Sequence, residues 1–126
     1  MKKTAVATTK APPAIGPYSQ GVVCGGWMFV SGQIPLGADG VPMDGGVAEQ
    51  TEQCLKNIRE ILQATGLTMK DVVKTTVFMT DLGQFQAMNE VYTRHFEPPF
   101  PARATVQVCA LPKGASVEIE AVAVRP

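Results

Sequence analysis

In Gly21-Val22-Val23-Cys24-Gly25-Gly26-Trp27-Met28-Phe29-Val30-Ser31-Gly32, two apolar runs flank a pair of glycines. This is a β-hairpin signal, because Gly25-Gly26 can adopt the positive φ angles of a tight turn. The runs are apolar at consecutive positions, not at alternate ones, so both faces of these strands avoid water. Val72-Val73 and Ala121 to Val124 behave in the same way. Such a sheet needs cover on each face.

On the N-terminal side of the hairpin lies Lys10-Ala11-Pro12-Pro13-Ala14-Ile15-Gly16-Pro17-Tyr18. Three prolines exclude helix and central strand. An ordered arm is expected, with Ile15 and Tyr18 withdrawn from water, and a short strand can precede it. On the other side, Ser31-Gly32-Gln33-Ile34-Pro35 ends the second hairpin strand. The stretch from Gly37 to Gly46 holds four glycines and one proline and reads as a loop. Its glycines match neither GxGxxG nor a P-loop.

From Val47 the period becomes helical. Val47, Thr51, Cys54, Leu55, Ile58, Ile61, Leu62 and Thr65 share one face, Glu49, Glu52, Lys56, Arg59 and Glu60 the other, and Gly66 supplies the stop. Val72 to Met79 is a strand. Asp81 is placed to cap a second helix, Leu82 to Phe96, striped by Phe85, Met88, Tyr92 and Phe96. Glu97-Pro98-Pro99-Phe100-Pro101 breaks the chain. Strands at Ala104 to Cys109 and Val117 to Val124 follow, joined by a turn around Pro112-Lys113-Gly114. The fold class is α+β: a mixed β-sheet with two helices on one face, in a single domain spanning residues 1–126. Two helices cannot cover both faces, so self-association is expected to cover the other.

The 126 residues are 45% hydrophobic and 17% charged, which describes a globular chain, and the formal net charge is zero. A non-specific nucleic-acid binder needs a basic footprint that is absent here. The start, Met1 to Thr9, lacks an apolar stretch of signal length, and no run reaches the length of a membrane span. The cytoplasm is the expected location. Cys24, Cys54 and Cys109 form no disulfide framework and read as three small buried side chains. With no CxxC and His95 the only histidine, a dedicated zinc site is not expected.

Three groups could carry chemistry. Arg103 stands where a proline-stiffened loop enters a strand, and its planar fork suits a carboxylate; it could equally be a salt-bridged surface residue. Glu118 and Glu120 alternate onto the strand face that carries Val122 and Val124; they are either solvated strand-end charges or a functional acid or base. Asn89 lies beside the buried stripe of the second helix, as a structural amide or as part of a site. Tyr18 and Ser31 are weaker candidates. A Ser31–His95–Asp81 nucleophile system rests on residue type alone.

Ile15-Gly16-Pro17-Tyr18-Ser19-Gln20, Phe29-Val30-Ser31-Gly32-Gln33-Ile34-Pro35, Pro101-Ala102-Arg103 with Thr105-Val106, and Val117-Glu118-Ile119-Glu120-Ala121 occur in that order. Together they resemble the reactive intermediate deaminase family (RidA, YjgF). The resemblance implies a chorismate-mutase-like fold and a homotrimer with active sites between subunits. It also implies hydrolysis of 2-iminobutanoate and 2-iminopropanoate, or their enamine tautomers, to 2-oxo acids and ammonia. These imines arise from dehydration of threonine and serine by pyridoxal-phosphate enzymes. By the same resemblance Arg103 binds the substrate carboxylate and Glu118 positions or activates water. Tyr18, Ser31, Gly32 and Asn89 line the cleft. Thr105, which stands where some relatives have cysteine, faces substrate through its backbone. The competing readings are a non-catalytic carboxylate-binding or chaperone-like protein on the same fold, and an RNA-directed activity.

Overall fold

The computed structural model describes all of residues 1–126. Its strands are β1 (Lys3–Val6), β2 (Gly21–Cys24), β3 (Trp27–Gln33), β4 (Val72–Met79), β5 (Ala102–Gln107) and β6 (Val117–Val124). Its helices are α1 (Val47–Gln63) and α2 (Phe85–His95). The strands form one six-stranded sheet in the order β1-β2-β3-β6-β4-β5. All neighbours are antiparallel except β4 and β5, which run parallel. The hairpin forms as expected, with Gly25 at φ 61° between β2 and β3.

Both helices lie on one face. Cys54, Leu55, Ile58, Ile61 and Leu62 of α1 and Met88 and Tyr92 of α2 pack with Met28, Val30, Val77, Met79, Val117 and Ile119 of the sheet in one core. Burying each large aliphatic side chain contributes about 1.5–3 kcal/mol. α1 ends with Gly66 at φ 80°, a left-handed conformation suited to glycine. The second helix begins later than its sequence pattern suggests. Asp81 does act as a cap, but of a 3-10 turn over Leu82–Gln84, accepting a hydrogen bond from the Gly83 N–H at 2.8 Å. β5 starts two residues earlier than expected and stops at Gln107, because its parallel partner β4 ends there, Met79 against Gln107.

Three further expectations are corrected. Ile15 and Tyr18 are 80% and 55% exposed in the single chain, which offers no element to cover the tip of the arm. Of the cysteines only Cys54 is buried; Cys24 is half-buried on an outer strand and Cys109 is exposed beyond the end of β5. The first helix stops at Gln63, short of Thr65, whose hydroxyl turns back onto the Leu62 carbonyl at 2.9 Å.

The face opposite the helices is open. Trp27 and Phe29 of β3 are nearly half exposed there, in register with Val124 and Val122 of β6. No helix is long and apolar enough to cross a membrane.

Candidate functional site

The proline arm is held to the sheet by one buried side chain. Gln20 donates from Nε2 to the carbonyls of Thr8, Ala11 and Pro12, and its Oε1 accepts from the Thr8 N–H at 2.7 Å. The arm then delivers Tyr18 beside Ser31 and Gly32. Ser31 donates its hydroxyl to the Ser19 carbonyl, and Tyr18 Oη accepts from the Ile15 N–H at 3.3 Å. Ser31 and Gly32 sit where the pairing of β3 with β6 slips between Val30 and Gln33.

That irregularity gives Glu118 room. Glu118 lies on the open face of β6, opposite Phe78 of β4. A Cβ added to Gly32 would collide with Glu118 Oε2. The carboxylate therefore rests against a stretch of bare backbone. Burial, and secondarily the neighbouring Glu120, push the Glu118 carboxyl above its usual range. Tyr18, Ser31, Gly32, Glu118 and Glu120 share the lining of a cavity of about 690 Å³.

Arg103 belongs to a second cluster. It is half-buried on the helix-bearing face of the edge strand β5, in register with buried Thr75 of β4. Its Nη1 donates to Asn89 Oδ1 at 2.7 Å. Its Cζ lies 4.7 Å from the centre of the Tyr92 ring and 5.4 Å from that of Phe85. No carboxylate pairs with it, since the ion pairs in the chain are Lys70–Glu97 and His95–Glu52. Asn89, Tyr92, Thr93, Phe100, Pro101 and Arg103 line a cavity of about 360 Å³. Thr105 follows Arg103 on the same face of β5, and its buried hydroxyl has no hydrogen-bond partner in the chain.

The residues singled out in the sequence thus fall into two groups. Tyr18, Ser31, Gly32 and Glu118 meet on one face of the sheet; Arg103, Asn89 and Thr105 meet on the other. Strand β4 separates β6 from β5. Neighbouring strands are about 4.8 Å apart, so the two groups stand roughly 10 Å apart laterally as well as across the sheet. A small substrate cannot touch both within one chain. Ser31, His95 and Asp81 do not meet: His95 Nε2 is bonded to Glu52 Oε1 at 2.9 Å, linking α2 to α1, and Asp81 is a cap. Cys54 is sealed in the core, where burial and the nearby Glu118 raise its thiol pKa far above the ordinary value. No three His, Cys, Asp or Glu side chains gather to hold a metal ion.

Sequence reasoning missed the residues that hold Arg103. Phe85 and Tyr92 read as packing at helical spacing, and Thr75 as an ordinary strand residue. The available signal was the hydroxyl of Tyr92, which needs a partner when buried.

The family model described as Endoribonuclease L-PSP matches residues 8–125. A RidA from an Antarctic Psychrobacter is 43% identical, with a TM-score of 0.92 over 96% of this chain and 98% of its own. The chain belongs to the RidA family. Human 2-iminobutanoate/2-iminopropanoate deaminase is another RidA-family relative, 50% identical over 95% of this chain and 88% of its own length. Escherichia coli TdcF, solved with bound serine, is 43% identical, with a TM-score of 0.92 over 98% of this chain and 99% of its own.

Proposed function

We propose that this RidA-family chain is a hydrolytic deaminase that converts 2-iminobutanoate and 2-iminopropanoate to 2-oxo acids and ammonia. The observation that carries this reading is Arg103, a half-buried guanidinium held by an amide and two aromatic rings with no acid to neutralise it. A charge held in this way is free for an external anion, and a bidentate carboxylate fits its geometry. Human 2-iminobutanoate/2-iminopropanoate deaminase at 50% identity supports the reaction, and serine bound to TdcF supports a ligand of the same size and charge.

In this mechanism Arg103 anchors the carboxylate. Asn89 and the backbone of Thr105 orient the imine beside it. Glu118, from a neighbouring copy, takes a proton from water as the water oxygen bonds to the iminium carbon. The resulting carbinolamine receives that proton on nitrogen; Glu118 then takes the proton from the new hydroxyl as the C–N bond breaks and the carbonyl forms, and passes it to the departing ammonia, which leaves as ammonium. No electrons change hands and no cofactor is needed. Tyr18, Ser31 and Gly32 complete the wall around Glu118.

Because the two groups lie on opposite sides of the sheet, the reading includes a closed homo-oligomer, a trimer, with sites between subunits. Residues 1–126 act in it as one unit. The cytoplasm goes with three unpaired thiols, which suit a reducing compartment. A carboxylate-binding or chaperone-like protein would use Arg103 equally well but gives Glu118 no task. An RNA-directed activity sits poorly with a net charge of zero and with Glu118 and Glu120 in the cavity.

The test couples a serine or threonine dehydratase to the purified chain and follows imine decay by absorbance. Accelerated decay supports the deaminase; an unchanged rate overturns it in favour of binding.

A further inference from the structure

We infer that Tyr92 is a positioning residue of this site: with Phe85 it forms an aromatic cradle, locked by Thr75, that fixes the direction of the Arg103 guanidinium. The inference rests on the proposed role of Arg103 in binding a carboxylate. It adds the part of the chain that sets how well Arg103 can do so.

A free arginine side chain samples many rotamers, and that freedom must be given up when its fork meets two oxygens at once. The usual restraint is a carboxylate neighbour, which would neutralise the charge. Here the restraint is uncharged. The negative faces of Tyr92 and Phe85 attract the guanidinium at 4.7 and 5.4 Å without competing for the anion. Asn89 occupies one donor of Nη1 through its amide oxygen. The remaining N–H donors are left for a ligand.

The cradle is itself fixed. The Tyr92 hydroxyl and Thr75 Oγ1 are 2.7 Å apart and buried. Thr75 pairs directly with Arg103 across the β4–β5 ladder. One strand position therefore sets both the backbone beside Arg103 and the far end of the ring beneath its guanidinium. Burial raises the Tyr92 phenol pKa, so the ring stays neutral and its hydroxyl proton stays in place. Phe96 also packs against the Tyr92 ring, with centres 4.7 Å apart and planes tilted by 38°.

Pyruvate, which carries the carboxylate without needing turnover, is the probe, titrated into the assembled protein and followed by NMR. Cation–π contacts of about 0.5–2 kcal/mol correspond to roughly 2- to 30-fold in affinity. Tyr92→Leu should weaken pyruvate binding within that range and raise KM for the imine by a similar factor, with kcat changed less. Tyr92→Phe keeps the ring and should recover most of the affinity; Thr75→Val should match Tyr92→Phe. Phe85 is only partly buried, so Phe85→Leu should fold where Tyr92→Leu fails, and should still weaken pyruvate binding at least twofold. Folded Tyr92→Leu or Phe85→Leu that binds pyruvate as tightly as the unaltered chain overturns the inference, as does equal damage to kcat and KM in every variant. An unaltered chain that binds pyruvate but does not hasten imine decay overturns the deaminase reading instead, and leaves the cradle to be judged on binding.

Discussion

Arg103 combines a permanent charge with partial burial and no acidic partner, so removing it should harm the ligand more than the fold. Losing one member of a desolvated, hydrogen-bonded charge pair costs roughly 2–5 kcal/mol. Arg103→Ala should therefore lower kcat/KM for 2-iminopropanoate by about 30- to several-thousand-fold. Arg103→Lys should restore only part, because an ammonium lacks the two-pronged donor. The melting temperature should move little in either variant. Glu118 obeys a different rule. Its carboxyl is raised by burial and by Glu120, so as a base it should lose activity on acidification at a higher pH than an ordinary glutamate near 4.3. The same shift means that the folded chain binds more protons at Glu118 than the unfolded one. Stability contributed there therefore falls as pH rises through the window between the two pKa values. Glu118→Gln should cut kcat by about 10²–10⁴ while melting no lower at pH 7, and Glu120→Gln should cost much less. A pH–rate profile and a melting curve of each variant check both halves. Arg103 and Glu118 were legible as candidates, Arg103 from the prolines that stiffen its approach and Glu118 together with Glu120 from strand alternation, the choice between the two glutamates resting on the family resemblance. Their surroundings were not, since an aromatic at helical spacing looks the same whether it fills a core or bears a cation.

Among the elements, β3 is the one whose irregularity matters most. Its pairing with β6 slips between Val30 and Gln33, and Gly32 in that slip leaves the space that Glu118 Oε2 fills. Gly32→Ala would meet the flexible end of a side chain and not backbone, so the fold should tolerate it, with a change in melting temperature of only about 1–3 °C. The displaced carboxylate should not be tolerated: a misplacement of about 1 Å can cost up to 10²-fold in rate. Near-normal turnover in folded Gly32→Ala would show that the clearance has no catalytic value. Periodicity located the hairpin, both helices and the last strand correctly. It failed at boundaries decided by partners. The 3-10 turn at Leu82–Gln84 has helix-compatible residues, and the end of β5 is set by where β4 runs out. The slip in β3 has no sequence signature beyond a glycine after a serine.

For the whole molecule, the deciding feature is the open sheet face with Trp27 and Phe29 partly exposed, in register with Val124 and Val122. Consecutive apolar residues in the strands imply that both sheet faces avoid water, and the helices cover only one. What occupies the other face could not be read from periodicity, because an apolar strand is equally suited to a helix, a sheet or another copy. Light scattering at micromolar concentration should give three times the 13.4 kDa chain mass, and a value at the chain mass itself would refute the assembly.

The separation of Arg103 and Glu118 by the width of β4 has a consequence for mixtures of damaged proteins. Arg103→Ala and Glu118→Gln should each be strongly impaired alone, yet each retains the half that the other has lost. Unfolded together in equal amounts and allowed to reassemble, they should form rings in which some interfaces join an intact Arg103 to an intact Glu118. With random assortment, about one interface in four is whole in a cyclic arrangement. The blend should thus regain roughly a quarter of normal activity, whereas either variant reassembled alone stays at its own impaired level. Two crippled proteins that rescue one another would make the interface, and not the polypeptide, the unit of catalysis.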